Sequence, residues 1–130
     1  MKILVGYDGS NAAKDTLKLA VDHARRFDAS VDVVTSMSRG RETEREEIAA
    51  AEGGLAWAAE KAQEAGVACT THLLIRGLTV GEDLIDYAEE KKIDLIYVGV
   101  RRRSRVGKLI MGSNAQYIIL NAPCPVVTVK

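Results

Sequence analysis

Residues 99–113, GVRRRSRVGKLIMGS, gather four arginines, one lysine and three glycines between an apolar run and the start of a helical pattern. Cations and permissive backbone at that density suit an anion: guanidinium groups make bidentate phosphate contacts, and glycine lets backbone N–H groups come close. Two common phosphate loops do not fit. A Walker A loop needs a glycine five residues before its Gly-Lys pair and a Ser or Thr after it; around Gly107-Lys108 those places hold Arg102 and Leu109. No G-x-G-x-x-G follows a strand-like run, so the dinucleotide fingerprint is missing too. The segment does end in Gly112-Ser113 before a helix, where orphan N–H groups and the helix dipole attract an anion. Gly6, Tyr7, Asp8 and Ser10, at the end of the first apolar run, add a carboxylate and a hydroxyl.

The elements that must position these groups alternate in type. Apolar, β-branched runs at 2–7, 30–36, 95–100 and 125–129, with a weaker one at 71–75, read as strands. Between them, helical spacing predicts helices at about 11–27, 44–65, 80–91 and 114–121. Ser10 reads as the first N-cap, and Leu17, Ala20, Val21 and Ala24 form a narrow apolar face behind it. The pairs Thr43/Glu46, Thr79/Glu82 and Ser113/Gln116 have capping-box spacing at the other three starts. Gly53-Gly54 weakens the middle of the second helix, and Pro123 and Pro125 stop the fourth and feed an extended last strand.

Strands alternating with helices imply right-handed crossovers, hence a parallel sheet with helices on both faces: an α/β, doubly wound fold in one domain, 1–130. In such a sheet ligands bind at the carboxyl ends of the strands where the strand order reverses. If strands one and four flank that point, residues 6–10 and 99–113 face one crevice, a phosphate site on physical grounds alone.

Composition narrows the classes. Eighteen basic and eighteen acidic side chains cancel, against the global positive charge of a dedicated nucleic-acid or membrane-surface binder. No apolar run is long enough to span a membrane, and no signal-peptide pattern follows Met1. Cys69 and Cys124 are too few for a disulfide framework or zinc site, which suits a reducing, cytoplasmic setting with both as small buried apolar residues. His23 and His72 match no zinc spacing, Trp57 with Leu55 and Ala59 reads as helix packing, and no catalytic triad can be assembled.

Taken end to end, the chain resembles the universal stress protein family of the UspA type. The resemblance is carried by ILVGYDGS, the glycine of IRGLT, DLIYVGV, and a GS-helix unit followed by NAPCPVVTV. It implies a five-stranded parallel sheet of order 3-2-1-4-5 and homodimers that pair their last strands, here 126–129. The ATP-binding branch has a loop of the form G-x2-G-x9-G-[S/T], which falls on Gly99, Arg102, Gly112 and Ser113; another glycine common in the family falls on Arg105. The resemblance therefore implies a nucleotide site of Gly6, Tyr7, Asp8, Ser36, Gly99, Arg102, Arg105, Gly112, Ser113 and Asn114, with ATP and Mg²⁺ as ligands. It also implies a regulator and not a fast catalyst, a slow ATPase using Asp8 being the weakest reading. The alternative is a nucleotide-independent dimer whose arginine-rich loop docks an acidic partner.

Overall fold

The computed structural model describes residues 1–37, 44–100 and 111–130. Along them strands and helices alternate: β1 (Lys2–Gly6), α1 (Asn11–Phe27), β2 (Ser30–Ser36), α2 (Glu44–Glu64), β3 (Cys69–Leu74), α3 (Val80–Glu90), β4 (Leu95–Gly99), α4 (Ser113–Asn121) and β5 (Val126–Val129). The strands form one parallel sheet of order β3-β2-β1-β4-β5, with β1 at its centre. A central strand covered on both faces must be apolar on both, and Ile3, Leu4 and Val5 are all fully buried. Alternation sends Ile3 and Val5 into a core with Leu17, Ala20 and Ala58 of α1 and α2, and Leu4 into a second core with Leu84 and Ile118 of α3 and α4.

Small residues on the inner face of α1, Ala13, Ala20 and Ala24, let that helix close on the sheet. Ser10 caps it by accepting from the Ala13 N–H at 3.1 Å. α2 runs through Gly53-Gly54 without a break, and Gly54 has a packing reason: a Cβ there would lie 3.2 Å from Tyr7 Cε2. Thr79 and Glu82 form the expected capping box at α3. The Thr43 half of the box at α2 lies outside the described residues.

Three sequence expectations need correction. β3 begins at Cys69 and not Thr71, because β2 offers a partner all along, from Val31 opposite Cys69 to Ser36 opposite Leu74. Cys69 and Cys124 are half-buried at the edges of the two cores and not fully buried. At α4 the N-cap is Gly112, in extended conformation, and among the described residues no side chain caps the helix. Ser113 is the first helical residue, and Gln116 turns its amide to the Met111 carbonyl at 3.0 Å, so the Ser113/Gln116 box does not form.

Candidate functional site

β1 leads to α1 on one face of the sheet and β4 leads to α4 on the other, so the chain diverges between two adjacent strands and leaves a crevice there. The crevice holds a cavity of about 400 Å³. Gly6 and Gly99 form its floor, Tyr7, Asp8 and Ser10 one rim, and Gly112, Ser113 and Asn114 the opposite rim. Val34 and Ser36 of β2 close one end together with Val80 and Leu84 of α3. Every site residue expected from sequence within the described part of the chain thus meets at one cavity; Arg102 and Arg105 lie outside the described residues.

The glycines serve different ends. A Cβ on Gly99 would sit 2.9 Å from Thr16 Oγ1, a buried hydroxyl that itself donates to the Ala12 carbonyl at 2.8 Å. Gly99 therefore lets α1 lie close to β4. A Cβ on Gly6 would come within 2.7 Å of Leu84 Cδ1, so Gly6 admits α3. Gly112 has a φ of −66° that any residue adopts, and beyond its two chain neighbours no described atom lies within 4 Å of where its Cβ would stand. Neither packing nor backbone geometry among the described residues requires glycine there; it leaves the start of α4 without a side-chain cap among those residues, and the first N–H groups of the helix have no carbonyl within it.

Polar partners define what each side chain can still do. Asp8 Oδ1 accepts from the Ser10 N–H at 2.9 Å, an Asx turn, and its carboxylate lies exposed on the rim. Tyr7 donates its N–H to the Val34 carbonyl at 2.9 Å, and its own carbonyl accepts from Thr35 Oγ1 at 2.7 Å. Its ring stacks on Trp57 at 6.2 Å, with Lys14 and Lys61 over the indole, so Trp57 packs rather than forming an open platform. Burial, and then the nearby Asp8 charge, raise the Tyr7 phenol above its ordinary range. Asn114 Oδ1 accepts the Gly81 N–H at 3.0 Å and so ties the starts of α3 and α4 together. His23 holds the Tyr97 hydroxyl at 2.6 Å, away from the cavity, and among the described residues no group of three His, Cys, Asp or Glu side chains could hold a metal ion.

Sequence reasoning missed a network at the β2 end. Ser36 Oγ donates to Asp83 Oδ2 at 2.7 Å, and Arg76 Nε donates to Asp83 Oδ1 at 2.6 Å. That bond, foremost, holds the Arg76 guanidinium pKa above its ordinary value. The available signal was an acid at position 83, four residues before Tyr87 and so on the apolar face of α3, where charge is out of place without a partner.

A family model described as the universal stress protein family matches residues 1–130. A universal stress protein of Methanocaldococcus jannaschii is 34% identical over an alignment covering 99% of this chain and 81% of that protein. A solved universal stress protein from Archaeoglobus fulgidus superposes with a TM-score of 0.91 at 38% identity, covering 100% of this chain and 98% of the other. Another structure from that organism, in complex with dAMP, gives a TM-score of 0.84 at 34% identity, with the same coverages of 100% and 98%.

Proposed function

The chain belongs to the universal stress protein family, and from that premise we propose that it binds an adenine nucleotide in the cavity between β1 and β4 and acts through occupancy, as a stress-response regulator, and not through turnover. The observation that carries this reading is the start of α4 beside Gly112, which no side chain among the described residues caps and where N–H groups meet the rim of the cavity. A volume of about 400 Å³ falls within the range of small-molecule sites, about 300–1,000 Å³. The similar Archaeoglobus fulgidus protein solved with dAMP supports the choice of ligand.

In this arrangement the phosphate lies against Ser113 and the α4 N–H groups. The Asp8 carboxylate, an acceptor only, takes sugar hydroxyl hydrogens, and the base extends over Gly6 and Gly99 to Ser36. ATP is the finer reading: Arg102 and Arg105 add fixed positive charge where the family loop has glycine, replacing backbone donors with bidentate ones. Mg²⁺ would arrive on the phosphates, since Asp8 is the only carboxylate lining the cavity among the described residues and one of its oxygens is engaged by Ser10. The cell compartment that suits this role is the cytoplasm.

The working unit in this reading is a homodimer joined through β5. β5 is an edge of the sheet, and exposed Ile119 and Leu120 lie on the helix just before it. Isothermal titration with AMP, dAMP, and ATP with and without Mg²⁺ tests the ligand. Heat of binding and a thermal shift are expected; neither at millimolar ligand overturns the reading. Light scattering behind a sizing column reads the dimer, and Thr128→Pro, which removes an N–H on the side of β5 turned away from β4, is expected to shift it to monomer.

A further inference from the structure

Asp83 is the only charged side chain fully buried among the described residues, and its carboxylate stands behind Ser36, which lines the cavity. Burying a carboxylate is costly even when it is paired, and an apolar residue at this place on α3 would hold the helix to the sheet as well. The hydrogen bonds show what the acid does instead. Arg76 donates from Nε to Oδ1 at 2.6 Å and from a terminal nitrogen to the Asp83 carbonyl at 3.3 Å, leaving Oδ2 turned to Ser36 Oγ at 2.7 Å. A carboxylate paired with a guanidinium has only acceptor sites, so the proton between Oδ2 and Oγ is the serine's. A serine hydroxyl has one proton. With it committed to Asp83, the Ser36 hydroxyl can offer the cavity only lone pairs.

We propose that Asp83, anchored by Arg76, is a positioning residue that turns Ser36 into an obligate acceptor, so that the β2 end of the cavity selects a ligand group that donates, such as an exocyclic amino group, over a carbonyl oxygen at the same place. For a purine this favours a 6-amino over a 6-oxo base. The inference rests on the nucleotide reading with the base at the β2 end, and deepens it by naming how the base is chosen. A network serving only to tie the β3–α3 connection to β2 would be indifferent to the ligand's substituents.

AMP and IMP share a ribose phosphate and differ in this group, so the full chain is titrated with both, with ribose 5-phosphate as a control lacking the base. The expected result is AMP tighter than IMP by about tenfold, the size of one oriented hydrogen bond against one mismatched pair. Ser36→Ala is expected to bring the ratio close to one and leave ribose 5-phosphate unaffected. In Asp83→Asn the amide oxygen stays on Arg76 and the NH₂ faces Ser36, so the hydroxyl proton turns to the cavity and the preference falls or reverses. Circular-dichroism melting reports whether each variant folds, and if Asp83→Asn does not, Ser36→Ala decides. An undiminished AMP preference in Ser36→Ala, or in folded Asp83→Asn, overturns the proposal. Equal binding of AMP and IMP by the full chain overturns it and leaves the nucleotide reading standing; binding of neither removes both.

Discussion

The sheet has a cavity at each end, about 400 Å³ at the carboxyl ends of β1 and β4 and about 380 Å³ at the amino ends of β1, β2 and β3. Volume does not separate them; the state of their polar groups does. At the amino end Asp32 accepts from Thr70 at 2.9 Å and from the Tyr87 hydroxyl at 2.7 Å, and the Lys2 ammonium donates to the carbonyl of Lys91, the α3 C-cap, at 3.2 Å. Its one carboxylate, Asp32, and the Lys2 ammonium are answered from within the fold. At the carboxyl end Gly112 supplies no cap, and among the described residues no side chain answers the donors at the start of α4. A parallel sheet imposes this polarity: helices return antiparallel to the strands, so their N-termini gather where the strands end and their C-termini where the strands begin.

The sharpest way to break this comparison is to fill the space at Gly112. Gly112→Val is expected to weaken AMP binding by more than about tenfold while costing the fold about 1 kcal/mol, because valine fits the backbone there but caps poorly. Thr70→Val at the amino end is expected to leave AMP binding unchanged. Calorimetry on the two variants checks both, and equal losses would mean the ends do not differ in this way.

A smaller effect tests the closed character of the amino end. Tyr87→Phe removes the hydrogen bond to Asp32 and should lower stability by about 1 kcal/mol in urea without altering nucleotide affinity. The same phenol gives a pH signature. Burial, and then the Asp32 bond, push the Tyr87 pKa well above the ordinary 10.0, and burial raises Tyr7 and Tyr97 as well. The folded chain then holds protons that the unfolded chain releases, so stability is unaffected below about pH 10 and falls as pH rises beyond it. Urea midpoints followed from pH 8 to 11 are expected to show that fall, reduced in Tyr87→Phe.

The smallest contrast sets two helix starts side by side. Thr79 caps α3, so Thr79→Ala is expected to cost about 1 kcal/mol of stability and little affinity. Ser113 caps nothing, so Ser113→Ala is expected to change stability by less than about 0.5 kcal/mol and to act on AMP affinity instead. Thermal melts with and without ligand separate the two, and equal stability losses would restore Ser113 as a cap.

Much of this architecture was legible in the sequence because the determinants are local. Alternating apolar runs and helical spacing gave the β and α elements, and the Ser10 and Thr79 caps depend on residues within one helical turn. The errors fell where locality ends. Ser113 and Gln116 have the spacing of a capping box, but a box forms only if the backbone bends at the serine, and here it bends at Gly112. β3 begins two residues early because its extent follows the partner strand β2. The glycines of the site were visible as glycines, but Gly99 answers to Thr16 and Gly6 to Leu84, which are far away in sequence.

The sequence by itself determined a parallel α/β sheet and the family, since periodicity and short motifs encode those directly, and through the family resemblance it pointed to the eight described residues, from Gly6 to Asn114, that line one crevice. Only the tertiary structure decided which polar groups at that crevice are already engaged. Asp83 meets Ser36 across 47 residues and Asn114 meets Gly81 across 33, and a hydrogen bond between distant segments depends on how two helices settle on a sheet, which no local pattern records.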